Sequence, residues 1–220
     1  MRKKEENKKR IVSEIIKAAK LYKEHLVGRR YMYVFDGRYI EVIYKTQNFK
    51  HLTGVDTRLS ARRFYHDAVK GLLREEQIGF SRQHPYHLCD RKIRHITEIA
   101  SMAGAESFML EEITTQTQSY KFGTTNLNFT LCMNHEWDEQ GNKIGDCFVV
   151  QSLRDEDCFD KSDHVYAVTH IFARSNDKKN YTALMYRDKS AGIDELPQNI
   201  LDLLDESFVS SLGLKESQSE

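Results

Sequence analysis

Two residues, Asp36-Gly37, separate the aromatic run Tyr31-Met32-Tyr33-Val34-Phe35 from a second run, Tyr39-Ile40-Glu41-Val42-Ile43-Tyr44. Asp-Gly suits the tight two-residue turns whose twist matches that of paired strands, so the stretch is read as an antiparallel hairpin. It commits the chain to a β-sheet close to its N-terminus. Helical periodicity surrounds it. Ile11, Ile15, Ile16, Ala19, Tyr22 and Leu26 form one stripe over residues 5–26, with Gly28 as a stop signal. Ser60 is placed to cap a helix over 61–77 that carries Phe64, Ala68, Val69 and Leu72 on one face. A further helix is expected over 90–102, with Asp90 as its cap and Ile93, Ile96, Ile99 and Ala100 as its apolar stripe.

After Gly104 the pattern changes to strands, at Phe108–Ile113, Leu127–Met133, Cys147–Leu153, Val165–Ala173 and Tyr181–Tyr186. A short helix over Leu196–Leu204, introduced by Pro197, closes the chain, and a flexible tail is expected over 210–220. The fold class read from this order is α+β: N-terminal helices and a β-hairpin followed by a mainly antiparallel sheet. One domain over 1–209 accommodates it.

Charge divides along the same line. The 33 basic and 33 acidic side chains give zero net charge. Residues 1–100 nevertheless hold 23 Lys and Arg against 12 Asp and Glu, and residues 101–220 hold 10 against 21. The neutral total therefore does not exclude a nucleic-acid partner. No run approaches the roughly 20 apolar residues that span a bilayer, and no apolar signal core follows Met1, so a cytoplasmic protein without a membrane partner is expected. Cys89, Cys132, Cys147 and Cys158 contain no Cys-x-x-Cys pair. They are read as reduced thiols, not as a zinc site or a disulfide framework.

The string Asn48-Phe49-Lys50-His51-Leu52-Thr53-Gly54-Val55 follows the hairpin directly. His51 can exchange a proton near neutral pH, Thr53 can donate to a phosphate oxygen, and Gly54 lets backbone amides approach an anion. Lys45, Lys50 and Arg58 supply positive charge nearby in sequence. The same residue types also suit a structural histidine beside a Thr-Gly turn. The loop Ser81-Arg82-Gln83-His84-Pro85-Tyr86-His87 reads either as a solvated surface or as a reader of single strands, through Arg82, His84 and His87. The acidic run 154–163 lacks the glycine and terminal glutamate of a calcium loop and reads as solvated. Glu111-Glu112 and Glu136 with Asp138-Glu139 have no spacing that fixes them as a glycosidase pair.

The N-terminal helix, the aromatic hairpin, the Asn-Phe-x-His-Leu-Thr-Gly-Val string and Phe64-Tyr65 together resemble a phage-associated branch of the Barnase–EndoU–colicin–RelE-like nucleases. The resemblance is carried by residues 10–75. It implies a metal-independent endoribonuclease of toxin or prophage type with no cofactor, RNA as substrate, and an inhibitor or other partner protein. His51 then takes the acid/base role, Thr53 holds phosphate, and Lys45, Lys50, Gly54 and Arg58 line the substrate. A second proton-transfer group is sought at His170 or at Tyr120, and Lys121 next to Tyr120 is a further candidate for binding the substrate. The competing expectation is a non-catalytic module on the same fold that binds nucleic acid or protein.

Overall fold

The first hairpin lies inside a nine-stranded sheet, not at its edge. In the computed structural model, which describes residues 2–216, β1 (Arg29–Phe35) pairs antiparallel with β2 (Arg38–Ile43). Asp36 and Gly37 between them both have positive φ. The remaining strands are β3 (Phe108–Thr114), β4 (Ser119–Thr125), β5 (Thr130–Asn134), β6 (Phe148–Arg154), β7 (Ser162–Ala167), β8 (His170–Ser175) and β9 (Ala183–Arg187). Their order is β7-β3-β4-β5-β6-β2-β1-β8-β9. Neighbours run antiparallel except β2 and β6, which are parallel over two residue pairs, Val42 with Phe148 and Ile43 with Val149.

This order forces a curve. β7 forms one edge, yet only Val168 and Thr169 separate it from β8, near the other edge. In a flat sheet those strands would stand about 34 Å apart, whereas the link spans about 10 Å. The sheet therefore curls back on itself. Val168 N donates to Ser107 O beside β3, and Thr169 N donates to Val34 O on β1, at 3.1 and 2.9 Å.

Helices fill the inner face: α1 (Arg2–His25), α2 (Phe49–Thr53), α3 (Ala61–Lys70), α4 (Tyr86–His95) and α5 (Ile99–Met102). Strand alternation decides what each face buries. Tyr31, Tyr33 and Phe35 of β1 join Ile11, Ile15, Tyr22, Phe64 and Ile93 in the main core. Met32 and Val34 point the other way, into a second core with Phe172, Tyr181, Ile200 and Leu204, partly from α6 (Gln198–Leu201). Leu110, Ile113, Tyr120, Cys132 and Cys158 make a third, smaller core. All four cysteines are buried free thiols.

Several boundaries differ from the sequence expectation. α3 stops at Lys70, because Gly71 turns left-handed (φ 71°) and its amide closes on Ala68 and Asp67 carbonyls. The helix expected over 90–102 begins at Tyr86 and breaks in two, so Asp90 lies within α4 and pairs with Arg10. Pro85, not Asp90, occupies the cap position. The run Val165–Ala173 is two strands, β7 and β8. β4 has no counterpart in the expected strands: Gly123 weakens its pattern, yet a Cβ there would lie 2.4 Å from Ile113 Cδ1. Leu127, expected to open a strand, sits at positive φ in the β4–β5 turn. The segment from Ser210 falls in α7 (Glu206–Glu216), and residues 217–220 lie outside the described part.

His170 sits on β8, stacked on Phe172 with planes 4° apart and ring centroids 5.7 Å apart. Burial, with help from Arg187, pushes its pKa down from 6.5 to about 4. Between those values the unfolded chain holds a proton that the folded chain refuses, so stability falls as pH drops through that window. The loss is about 2 kcal/mol once screening by nearby water is allowed for. Urea unfolding at pH 4.5 and pH 7 should show a smaller difference for His170→Phe than for the native chain; equal differences would refute the assignment.

Candidate active site

Because β2 and β6 pair over only two residues, the sheet opens beyond Ile43 and Val149. The chain leaving β2 fills that opening. Asn48 Nδ2 donates to Val150 O of β6 at 3.0 Å, which seats α2 alongside the second half of β6. Phe49 and Leu52 are fully buried in the main core, so the short helix turns Lys50 and His51 outward. Thr53 is also fully buried. Its hydroxyl donates to Lys50 O (2.7 Å) and accepts from Val55 N (3.3 Å), so it fastens the helix end and faces the interior instead of an anion. Gly54 ends the helix with φ 69°.

α4 packs across this turn. Cys89 Sγ donates to Gly54 O at 2.8 Å. The Lys92 stem runs so close that a Cβ on Gly54 would lie 2.9 Å from its Cδ. Burial pushes the Cys89 thiol up to about 11, which leaves it protonated and a poor nucleophile.

The loop before α4 joins the same place. Asp56 and Gly79 exchange backbone hydrogen bonds, at 3.1 and 2.8 Å. Ser81 and His84 close a turn in which His84 N donates to Ser81 Oγ. That turn sets His84 Nδ1 2.5 Å from Asp56 Oδ1. The Ser81 hydroxyl and His84 hold the Asp56 carboxyl below its ordinary value. His51, partly exposed, is held below the ordinary histidine value by desolvation, then by Lys50, Lys92 and His84. Asp56 and Cys89 thus tie the His84 loop to the turn that follows His51, although the sequence read the two histidines separately.

The other expected residues divide. Lys50 Nζ donates to Leu59 O at 3.2 Å. Arg58 lines an open groove of about 630 Å³ with Asp56, Thr57, Gln77 and Gly79. Arg82 and His87 are exposed on the His84 loop and the first turn of α4. Lys45 is paired with Glu136. Lys121 is paired with Glu112. Tyr120 is buried, with the Arg154 guanidinium carbon 5.9 Å from its ring centroid. His170 is not brought to His51: it lies beside Val34 on the face that meets the second core, whereas α2 packs on the main core. Asp56 and Lys92 were not picked out from the sequence. Asp56 is a lone acid in a basic half, and Lys92 reads as the polar face of a helix.

A model of the phage-Barnase-EndoU-ColicinE5/D-RelE like nuclease4 family matches residues 14–190. The chain belongs to this nuclease family. Membership reaches well past residues 10–75, into the acidic half, and includes β6, which supports α2. No curated protein and no solved structure matches the chain. Among the described residues no cluster of three or more His, Cys, Asp or Glu is placed to hold a metal ion, and no helix is long and apolar enough to cross a membrane.

Gly54 carries both the left-handed turn and the close approach of Lys92. Gly54→Ala should cost about 1–2 kcal/mol in denaturant unfolding and displace the Lys92 stem. An unchanged midpoint would show that neither constraint matters.

Proposed function

We propose that the protein is a metal-independent endoribonuclease whose proton transfers are made by His51 and His84. The observation that carries this reading is the tie between the His84 loop and the turn that ends α2: His84 Nδ1 meets Asp56 Oδ1, and Cys89 Sγ lies 2.8 Å from Gly54 O and 3.7 Å from His84 O. RNA carries its own nucleophile, the 2′-hydroxyl, so strand cleavage needs a base, an acid and donors for the phosphoryl oxygens. His51 is the base, because partial burial and neighbouring cations keep its imidazole neutral. It takes the 2′-hydroxyl proton as the 2′-oxygen bonds to phosphorus. The bond from phosphorus to the 5′-oxygen breaks, and that oxygen takes a proton from His84. The products are a 2′,3′-cyclic phosphate and a 5′-hydroxyl end.

Asp56 acts through His84. Accepting from Nδ1–H, its carboxylate fixes the orientation and tautomer of the ring that must donate. Lys50 and Arg58 attract the strand, and Arg82 and His87 extend the same surface.

Purified protein should cleave total RNA in EDTA and leave cyclic phosphate ends. His51→Ala and His84→Ala should each slow cleavage by about 10²–10⁴-fold without loss of fold by circular dichroism. With His51 as base, the rate rises with pH as that ring deprotonates, so the acid limb should lie below the ordinary histidine value of about 6.5. Intact RNA would overturn the enzymatic reading. Salt-sensitive binding without turnover would establish the non-catalytic module instead.

A further inference from the structure

The chain's single tryptophan lies on the surface. Trp137 is 61% exposed, on the connection from β5 to β6. That connection is itself a hydrogen-bonded hairpin. Trp137 bridges Lys143, Ile144 N donates to Glu136 O at 2.8 Å, and Asp138 Oδ1 accepts from Gln140 N and Asn142 N at 2.9 and 2.8 Å. Lys45 pairs with Glu136 at its base. On this frame the indole forms one wall of an open cleft of about 490 Å³, shared with Lys121, Asn134, His135 and Gln151. Pockets that take small molecules span roughly 300–1,000 Å³.

The hydrogen-bonding state of the lining is defined. His135 stacks on Phe148, with ring centroids 3.9 Å apart and planes at 28°. Its Nδ1 faces Cys147 O at 3.3 Å. A carbonyl only accepts, so Nδ1 carries the hydrogen and Nε2 of the neutral ring is an acceptor. The Asn134 amide is saturated, accepting from Lys121 N (2.6 Å) and donating to Ser119 O (3.1 Å). Lys121 is held by Glu112. The half-buried Gln151 amide and the Trp137 indole N–H make no side-chain hydrogen bond among the described residues. A half-buried amide without a partner retains a demand for one.

The ligand that suits these groups is flat, uncharged and polar at its rim. Phosphate does not suit them, because the one lining cation is already paired and the hairpin adds Asp138, Glu139 and Asp146. An apolar protein anchor would cover the Gln151 amide and His135 Nε2 and leave both unpaired. An unpaired nucleobase offers a π-face to the indole, and donors and acceptors to the amide and the imidazole. β6 joins this cleft to the candidate active site: Val150 O seats α2 through Asn48, and Gln151 is the next residue.

We propose that the Trp137 cleft is a nucleobase-binding subsite, in which one unpaired base of the RNA strand stacks on the indole and is read at its edge by Gln151 and His135. Its place on an RNA substrate rests on the ribonuclease reading, but base binding is measurable without turnover. Because Trp137 is the only tryptophan, its indole N–H signal in a nitrogen-correlated NMR spectrum reports on the cleft of the intact chain. Titration with each of the four ribonucleoside monophosphates at fixed ionic strength should shift that signal to saturation for at least one base. Ribose 5-phosphate, which lacks a base, should leave it unmoved. Gln151→Ala and His135→Ala should each weaken the binding by about fivefold or more, and Gln151→Ala should change the order of preference among bases. Gln140→Ala, exposed on the same hairpin, is the control and should change neither.

Base-dependent saturation weakened in both cleft variants supports the subsite even if RNA stays intact, in which case only the ribonuclease reading falls. RNA cleavage with an indole signal indifferent to all four nucleotides overturns the subsite and leaves that reading standing. An equal response to ribose 5-phosphate, or binding untouched by both cleft variants, also overturns it. So does a signal that ignores nucleotides but broadens as protein concentration rises, which would assign the patch to contact between copies of the chain. Should a cleft variant fail to fold, the comparison of nucleotides with ribose 5-phosphate on the native chain decides.

Discussion

The β1–β2 hairpin is hydrogen-bonded on both sides by strands that arrive more than a hundred residues later. β8 pairs along β1, from Arg29 with Ser175 to Val34 with His170, and β6 meets β2 at Val42 and Ile43. A strand in such a position needs apolar cover on both faces. β1 has it, with Tyr31, Tyr33 and Phe35 turned to the helices and Met32 and Val34 turned to the C-terminal cluster. The first half of the chain therefore cannot complete its sheet alone. Removing the acidic half would expose both edges of the hairpin and the floor on which the helices pack, so that half is a structural partner before it is anything else.

The same interlock explains the division of charge. Acidic residues of the second half pair with selected cations of the first: Glu136 with Lys45, Glu111 with Arg38, and Asp155 with Arg91 and His95. Partly solvated pairs of this kind add little stability individually. Their consequence is selective. They neutralise cations around the sheet and leave Lys92, whose charge reaches His51, without an ion-pair partner among the described residues.

Local rules made much of this fold legible. The Asp-Gly turn, the 3.6-residue stripes and the glycine stops name the hairpin and α1 almost to the residue. Where the sequence misled, a tertiary contact decided. Gly123 reads as a break in β-pattern, but the close approach of Ile113 requires it, and β4 passes straight through. Val165–Ala173 reads as one strand, because nothing local marks Val168 and Thr169 as the point where the chain leaves one edge and re-enters near the other. The candidate site was half legible for the same reason. His51 and His84 carry recognisable residue types, but their juxtaposition depends on the Asp56–Gly79 bridge. Thr53, chosen for its hydroxyl, spends it on its own turn. His170, chosen for its ring, is held on the wrong face by strand parity.

Parity and the short β2–β6 ladder together account for where His51 is seated. A fully paired β6 would have no opening for α2, and His51 would have no seat beside that strand. The opening exists because β2 ends where the parallel pairing has barely begun, and Asn48 takes up the Val150 carbonyl that a longer β2 would have used. The site is therefore a consequence of an unfinished ladder: backbone groups that the sheet leaves unpaired are satisfied by a short helix, and that helix turns His51 outward. Substitutions that lengthen β2 at the expense of Asn48 would strengthen the sheet and remove the seat of His51 at once, so sheet pairing and the placement of α2 are set against each other by the hydrogen-bonding demands of the backbone itself.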